Sequence, residues 1–166
     1  MEAKMDTTRV RQIGILTHNI EATAEKWAAF LGIPVPAVSL SDGYDKTQAE
    51  LYGKPCYGRC YQAFINFDNI QIEFIQPMDD EPSIWRECMD RDGEGLHHLA
   101  FEVKNMAENV KQCEEKGWGL QQKGEYTGGR YAYINSIGDL KMVTEFLEDD
   151  ERTGAEKWKR NLIQAV

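Results

Sequence analysis

An internal repeat is the feature that most constrains how this chain can fold. Residues 12–31 and 98–117 each predict a short apolar strand, a polar corner and a helix with a glycine at its end. Residues 64–75 and 133–147 also match each other, as two strands joined by a turn. Each of these segments ends with Glu-Phe followed by an aliphatic residue. Because one such unit leaves its sheet half covered, the two copies must pack together.

The repeat predicts an α+β fold in which two tandem βαβββ modules form one curved mixed sheet. We expect a single domain at residues 8–148, followed by a tail that predicts an amphipathic helix docking on the body or on a second subunit. A short helix is expected after Pro82, between the modules. The predicted parts are a first module at 8–77, a linker at 78–93, a second module at 94–148 and the tail at 149–166.

Charge and composition exclude several classes of partner. The formal net charge is -9 and the pI is about 4.9, which argues against nucleic acid and against a basic membrane-binding patch. No stretch approaches the roughly 18 apolar residues of a membrane span, and the N-terminal sequence is polar, without a secretory pattern. The four cysteines lack the spacing of a zinc or redox motif, so we predict free thiols and a cytoplasmic location.

Strand alternation selects four polar residues, because neighbouring side chains point to opposite faces of a sheet. Gln12 and His98 are equivalent in the two copies, and Glu73 and Glu145 form a second equivalent pair. The opposite faces of these strands are apolar and are expected to contact the helices, and His97 is expected not to share the face of His98. If the two concave halves pack together, the four selected side chains converge.

One imidazole, two carboxylates and one amide oxygen are a ligand set that suits a divalent cation in open octahedral coordination. A single residue of this kind is more often a surface group or a satisfied core group. Four in register across a duplicated unit favour a shared site. The sequence therefore predicts metal ligands at Gln12, Glu73, His98 and Glu145, and this set accepts cobalt, manganese, nickel, zinc or magnesium.

Three sequence strings resemble those of the glyoxalase/bleomycin resistance/dioxygenase, or vicinal oxygen chelate, superfamily. They are GEGLHHLAFEV at 93–103, IQIEFIQP at 70–77 and TEFLE at 144–148, and the resemblance is closest to its methylmalonyl-CoA epimerases. It covers about residues 10–148. The resemblance implies paired βαβββ modules that wrap a metal in a cleft, the same four ligands, and a homodimer.

The chain departs from the epimerase pattern at two places. Gln12 stands where epimerases usually have histidine, and Gln62 or Cys60 lies near the position of a third-strand glutamate proposed as a second base in an epimerase. The set Gln, Glu, His, Glu is instead similar to that of human-type glyoxalases, although the surrounding strings are not.

The resemblance implies proton transfer at a carbon next to a carbonyl, through a metal-stabilised enolate. Glu145 is the expected base, and Glu73 is expected on the opposite side of the planar enolate, which would make the chain an epimerase or racemase. The substrate would be methylmalonyl-CoA or an isoflavanone such as dihydrodaidzein, since isoflavanone racemases belong to this branch. The alternatives are a lactoylglutathione lyase and a non-catalytic small-molecule binding protein.

Aromatic residues suggest where a substrate would bind. Residues 41–62 are rich in tyrosine and glycine and predict a long excursion, or lid. Its tyrosines, with those of the second module, offer surface for a flat apolar ligand. We therefore name Tyr61 and Tyr133 as candidate substrate-binding residues, together with Arg130, which could meet an anionic group at the cleft rim.

Overall fold

Ten strands and five helices make up the part of the chain that the computed structural model describes, which is residues 5–7 and 9–150. The predicted tail helix lies, from residue 151 onward, outside the described residues. In chain order the elements are β1 (Val10–Leu16), α1 (Ile20–Leu31), β2 (Ser39–Leu40), α2 (Tyr44–Thr47), β3 (Glu50–Leu51), β4 (Lys54–Pro55), β5 (Cys60–Asn66), β6 (Gln71–Pro77), α3 (Ile84–Asp92), β7 (Gly95–Glu102), α4 (Met106–Glu115), β8 (Leu120–Tyr126), β9 (Gly129–Ile134), α5 (Ile137–Leu140) and β10 (Val143–Asp149).

All ten strands belong to one curled mixed sheet, in the order β2-β5-β6-β1-β7-β10-β9-β8-β3-β4. The strands that open the two modules, β1 and β7, pair antiparallel at its centre. Each also pairs, in parallel, with the strand that closes its own module, β6 or β10. The order is therefore symmetric about the β1–β7 contact for four strands on each side, with β3 and β4 added beyond β8. The predicted α+β architecture of two βαβββ modules is confirmed.

The two long helices of the repeat cover the outer face of the sheet. They begin in the same way, because Asn19 and Asn105 accept hydrogen bonds from backbone N–H groups three residues ahead, at 3.0 and 3.4 Å. Helix α1 then ends at Gly32, whose φ of 67° only glycine adopts readily. Both helices pack apolar side chains against the sheet, which leaves its inner face to form the site.

The linker helix α3 fills one end of the half-barrel. It begins at Ser83, whose hydroxyl accepts from the backbone of Arg86. Its residues Ile84 and Trp85 are buried on the inner face of the sheet, and the Trp85 indole donates to the hydroxyl of Tyr133 at 3.2 Å. The linker therefore forms one wall of the interior as well as joining the modules.

A strap, residues 41–59, corresponds to the expected lid. It starts beside β5 and carries α2 and the β3–β4 hairpin to the far edge of the sheet, where β3 pairs with β8 of the other module. The Tyr52 hydroxyl bonds the strap to Glu87 of α3 at 2.6 Å, and Arg59 joins its two ends by donating to the carbonyl of Ser41 at 2.8 Å. The strap is thus built into the sheet. None of the described helices is long and apolar enough to cross a membrane.

Candidate metal centre

Four polar atoms meet on the inner face of the sheet. His98 Nε2 lies 3.0 Å from Gln12 Oε1, 3.0 Å from Glu145 Oε2 and 3.5 Å from Glu73 Oε2. The amide oxygen of Gln12 is also 3.1 Å from Oε2 of each glutamate. All four residues are at most 6% exposed. The structure therefore brings together the residues that the sequence predicts as ligands.

The four central strands each contribute one of these side chains. Gly14 of β1 lies opposite Glu73 of β6 on one side and opposite His98 of β7 on the other. A methyl group on Gly14 would overlap the imidazole ring of His98. Glycine is therefore required here so that the ring can lie across the backbone of β1.

Two β-bulges flank the site, one on each opening strand. Along the β1–β7 pair, Arg11 is the extra residue on β1 and His97 the extra residue on β7, and the two are equivalent in the repeat. A bulge interrupts the alternation of faces, so His97 lies beside His98, with their Nδ1 atoms 3.0 Å apart. This differs from the sequence expectation, which assumed a regular strand.

A relay of amides runs from Gln12 through Gln71 to Asn66. Gln12 Nε2 donates to Gln71 Oε1 at 2.6 Å, and Gln71 Nε2 donates to Asn66 Oδ1 at 2.7 Å. In the reverse orientation the Gln12 amide nitrogen would face His98 Nε2 and Oε2 of both glutamates as a donor, and the amide of Gln71 would have to turn with it. With its oxygen inward, as metal binding requires, Gln12 faces His98 Nε2 and an oxygen of each glutamate, and a cation among these atoms stabilises that orientation.

The donor spacing fits a divalent cation. Adjacent ligands at about 2.1 Å from an octahedral ion are about 3.0 Å apart, close to the distances between these four atoms. Three oxygens and one imidazole nitrogen suit magnesium, manganese, cobalt, nickel or zinc. Glu73, His98 and Glu145 can thus hold a divalent metal ion, with the oriented Gln12 oxygen beside them.

Burial governs the electrostatics of the cluster. It raises the pKa of Glu73 to about 7; His98 opposes this rise, Glu145 adds to it, and the amide of Gln62, which donates to Glu73 at 2.6 Å, opposes it. Burial alone would lower the pKa of His98, but Glu145 and Glu73 outweigh it and raise that pKa. Burial and the neighbouring His98 lower the pKa of His97 well below its usual value, so His97 is neutral.

A cleft of about 480 Å³ lies over the cluster, between the inner face of the sheet and the strap. Among the residues described, Arg11 is the single cationic side chain in its lining, and Arg11 bonds to Asp149 at 2.9 Å. Tyr133 belongs to the lining, with its ring centroid 5.4 Å from that of His98. The aromatic lining residues are Phe64, Trp85, Tyr126, Tyr131 and Tyr133.

The other two candidate substrate residues lie elsewhere. Tyr61 packs on the helix side of the sheet, because it alternates on β5 with Gln62, which faces the cleft. Arg130 bonds to Glu148 at 3.0 Å and Asp150 at 2.6 Å, on a separate groove beside α4. The strap tyrosines likewise do not line the cleft, so its aromatic surface comes from β5, β8, β9 and α3.

Sequence reasoning passed over three residues that support the site. Gln71 shares the face of Glu73 by simple alternation, so its presence near the ligands could have been found. Arg11 and His97 sit at bulges, and a bulge leaves no mark in the hydrophobic pattern that identifies a strand.

The fold and site together define the class of protein. The sequence model of the Glyoxalase/Bleomycin resistance protein/Dioxygenase superfamily matches residues 11–133, and the chain belongs to that superfamily. This confirms the resemblance drawn from the sequence strings. A search of the curated proteins found no match.

Several solved structures are similar to this chain in fold. A methylmalonyl-CoA epimerase from Mycobacterium tuberculosis is similar, with a TM-score of 0.61 and 18% identity over 93% of this chain and 97% of that one. A methylmalonyl-CoA epimerase solved with methylmalonyl-CoA and NH4+ gives a TM-score of 0.60 and 18% identity, over 87% and 96% of the two chains. A hypothetical protein from Bacillus halodurans C-125 gives the same values. At this identity the likeness concerns the fold.

Proposed function

We propose that this chain is a metal-dependent epimerase or racemase that moves a proton at a carbon next to a carbonyl group. The observation that carries the proposal is the pair of buried carboxylates. Glu73 and Glu145 come from repeat-equivalent strands, and an oxygen of each lies 3.1 Å from the amide oxygen of Gln12. A two-base reaction needs two such groups beside one substrate carbon.

The positions of the residues support one division of roles. A divalent cation held by Gln12, Glu73, His98 and Glu145 would stabilise negative charge on the substrate carbonyl oxygen. Glu145 would remove the α-proton, and Glu73, which must already carry a proton, would give that proton to the opposite face of the planar carbon and so invert its configuration. Solvent would then take the proton from Glu145 and restore the one on Glu73. A carboxylate that acts in this way would have to leave the cation. Gln62 holds the second oxygen of Glu73 and so limits which atom of Glu73 can move.

Charge and shape favour a neutral aromatic ketone as substrate, such as an isoflavanone of the dihydrodaidzein type, over methylmalonyl-CoA. The cleft is lined by aromatic rings and by the carboxylates of Asp42, Glu73, Glu125 and Glu145. The phosphates of a CoA ester call for arginine or lysine, and the cation of Arg11 already faces Asp149. A flat neutral ring needs only the aromatic walls.

The test is proton exchange in heavy water, followed by NMR. The protein, loaded with cobalt or manganese, is mixed separately with dihydrodaidzein, methylmalonyl-CoA and the methylglyoxal–glutathione adduct. We expect the α-proton signal of dihydrodaidzein to disappear while the compound itself remains, because each turnover returns a deuteron. Glu145→Gln is expected to abolish the exchange. Metal-loaded protein that exchanges none of the three would overturn the proposal.

A second candidate is a lactoylglutathione lyase, which the Gln12 ligand favours because human-type glyoxalases have a similar set. This reaction would convert the methylglyoxal–glutathione adduct to a thioester, and the same spectra would show the product. Binding of one compound without exchange or conversion would instead indicate the non-catalytic binding protein.

Assembly and location are further parts of the proposal. One chain supplies all four ligands, so the site does not require a partner to complete the predicted set. The homodimer rests on the superfamily resemblance, and analytical ultracentrifugation at micromolar concentration tests it. A cytoplasmic location is supported by the four cysteines, which are unpaired and buried.

A further inference from the structure

We propose that His97 is a positioning residue that fixes His98 in the one neutral tautomer able to bind a metal ion. The inference rests on the proposed metal site and adds a residue outside the predicted ligand set. It concerns Nδ1 of His98, the ring nitrogen that faces away from the site. When this nitrogen carries a proton, it needs a hydrogen-bond acceptor.

The bulge on β7 brings the two imidazoles into direct contact. Their Nδ1 atoms are 3.0 Å apart, and their rings are nearly perpendicular, at 82°. Both rings also pack against Tyr133, with centroid distances of 5.5 and 5.4 Å. His97 is 4% exposed and His98 is fully buried, so water does not compete for this hydrogen bond.

The ring nitrogen of His98 that carries the proton determines which tautomer His97 must adopt. His98 Nε2 faces oxygens of Gln12, Glu73 and Glu145, and it can bind a cation only with its lone pair free. The proton of neutral His98 must then be on Nδ1, which donates to Nδ1 of His97. His97 accepts only if its own proton is on Nε2. Metal binding by His98 therefore requires a defined tautomer of both residues.

A packing role alone does not account for His97. Its Nε2 has no hydrogen-bond partner in the part of the chain that the structure describes, so the ring carries an unsatisfied polar atom into the interior. Such an atom costs free energy, and an apolar side chain of similar size would avoid the cost. The single bond to His98 is the interaction that a histidine makes here and an apolar residue cannot.

Two substitutions separate the hydrogen bond from the packing. His97→Leu fills the space but cannot accept, whereas His97→Asn can place its amide oxygen where Nδ1 now lies. We expect the Kd for Zn2+, measured by competition with a chromophoric chelator, to rise about 10- to 100-fold in His97→Leu. His97→Asn is expected to recover most of that affinity. Thermal unfolding of each metal-free variant shows whether the fold is retained.

Nitrogen-15 NMR of the wild-type zinc form tests the tautomers directly, and it decides the question even if His97→Leu fails to fold. We expect the proton of His98 on Nδ1 and that of His97 on Nε2. Unchanged zinc affinity in a folded His97→Leu variant, or a zinc form with His97 protonated on Nδ1 and so unable to accept from His98, would overturn the inference alone. Wild-type protein that binds no zinc would overturn the proposed metal site, and the role of His97 with it.

Discussion

At the scale of single residues, the site depends on groups that orient the ligands. Each of three predicted ligands has a polar neighbour that fixes one of its atoms: Gln71 for Gln12, Gln62 for Glu73, and His97 for His98. Ligand type therefore explains which ion can bind, and these neighbours explain why the atoms point inward.

The amide relay predicts a difference between two changes at Gln71. Gln71→Met removes the acceptor for the Gln12 amide, so the Gln12 oxygen is no longer held inward, and we expect Co2+ affinity to fall about 10-fold. Gln71→Glu keeps an acceptor and is expected to stay closer to wild type. Calorimetric titration with Co2+ measures both. Equal affinity in the two variants would argue that the relay does not orient Gln12.

The close approach at Gly14 predicts a local loss of both stability and metal binding. In Gly14→Ala the new methyl group must displace the His98 ring, and overpacking of this kind costs about 1–3 kcal/mol. Gly138→Ala is the matched control, because an added Cβ there meets no atom within 4 Å. Urea unfolding and zinc titration of both variants test this, and equal effects at the two glycines would contradict it.

The raised pKa values of Glu73 and His98 predict a pH dependence for the metal-free protein. The pKa of Glu73 rises from 4.5 to about 7, so in this range the native state holds a proton that the unfolded chain releases. Stability from Glu73 is therefore present at low pH and lost as pH rises through this window. The raised pKa of His98 acts in the same direction, because its protonated form is favoured in the native state.

Differential scanning calorimetry measures this dependence. We expect the Tm of metal-free protein to fall as the pH rises through about 7; below about 6.5 the lowered pKa of His97 acts in the opposite direction. Zinc is expected to raise the Tm more at the higher pH, where the ligands are deprotonated. Glu73→Gln is expected to flatten the slope. A Tm that rises over this range would show that other groups dominate.

At the scale of elements, α3 packs against the inner face of the sheet and fills part of the half-barrel. Ile84 is 1% exposed and packs among inner-face residues, so Ile84→Ala is expected to cost about 2–5 kcal/mol. Leu140→Ala, at a residue 53% exposed, is expected to change stability by less than about 0.5 kcal/mol. Urea unfolding compares the two variants, and similar losses would mean that α3 contributes little to the core.

The sequence predicted those elements that follow from the spacing of apolar residues and from the internal repeat. The repeat predicted the module order, the helix after Pro82, and the shared face of Gln12, Glu73, His98 and Glu145. It could not predict that β3 pairs with β8, since that pairing joins two modules and depends on the finished sheet. Nor could it predict the bulge at His97, because one extra residue in a strand leaves its composition unchanged.

At the scale of the whole molecule, the symmetric sheet places the site at the junction of the two modules. The first module supplies Gln12 and Glu73, and the second supplies His98 and Glu145. Neither module alone carries more than two of the predicted ligands. We therefore expect separately expressed modules to bind zinc far more weakly than the intact chain, which the same chelator competition would measure.

This division has an evolutionary consequence. A primitive single module that paired with its own copy along the opening strand would already have enclosed four ligand atoms, two from each copy. Within one chain, by contrast, the two halves can differ, and here one contributes an amide and the other an imidazole at the same repeat position. The excursion of the first half could likewise lengthen into a strap that reaches β8 of the second half without changing the ligands of either.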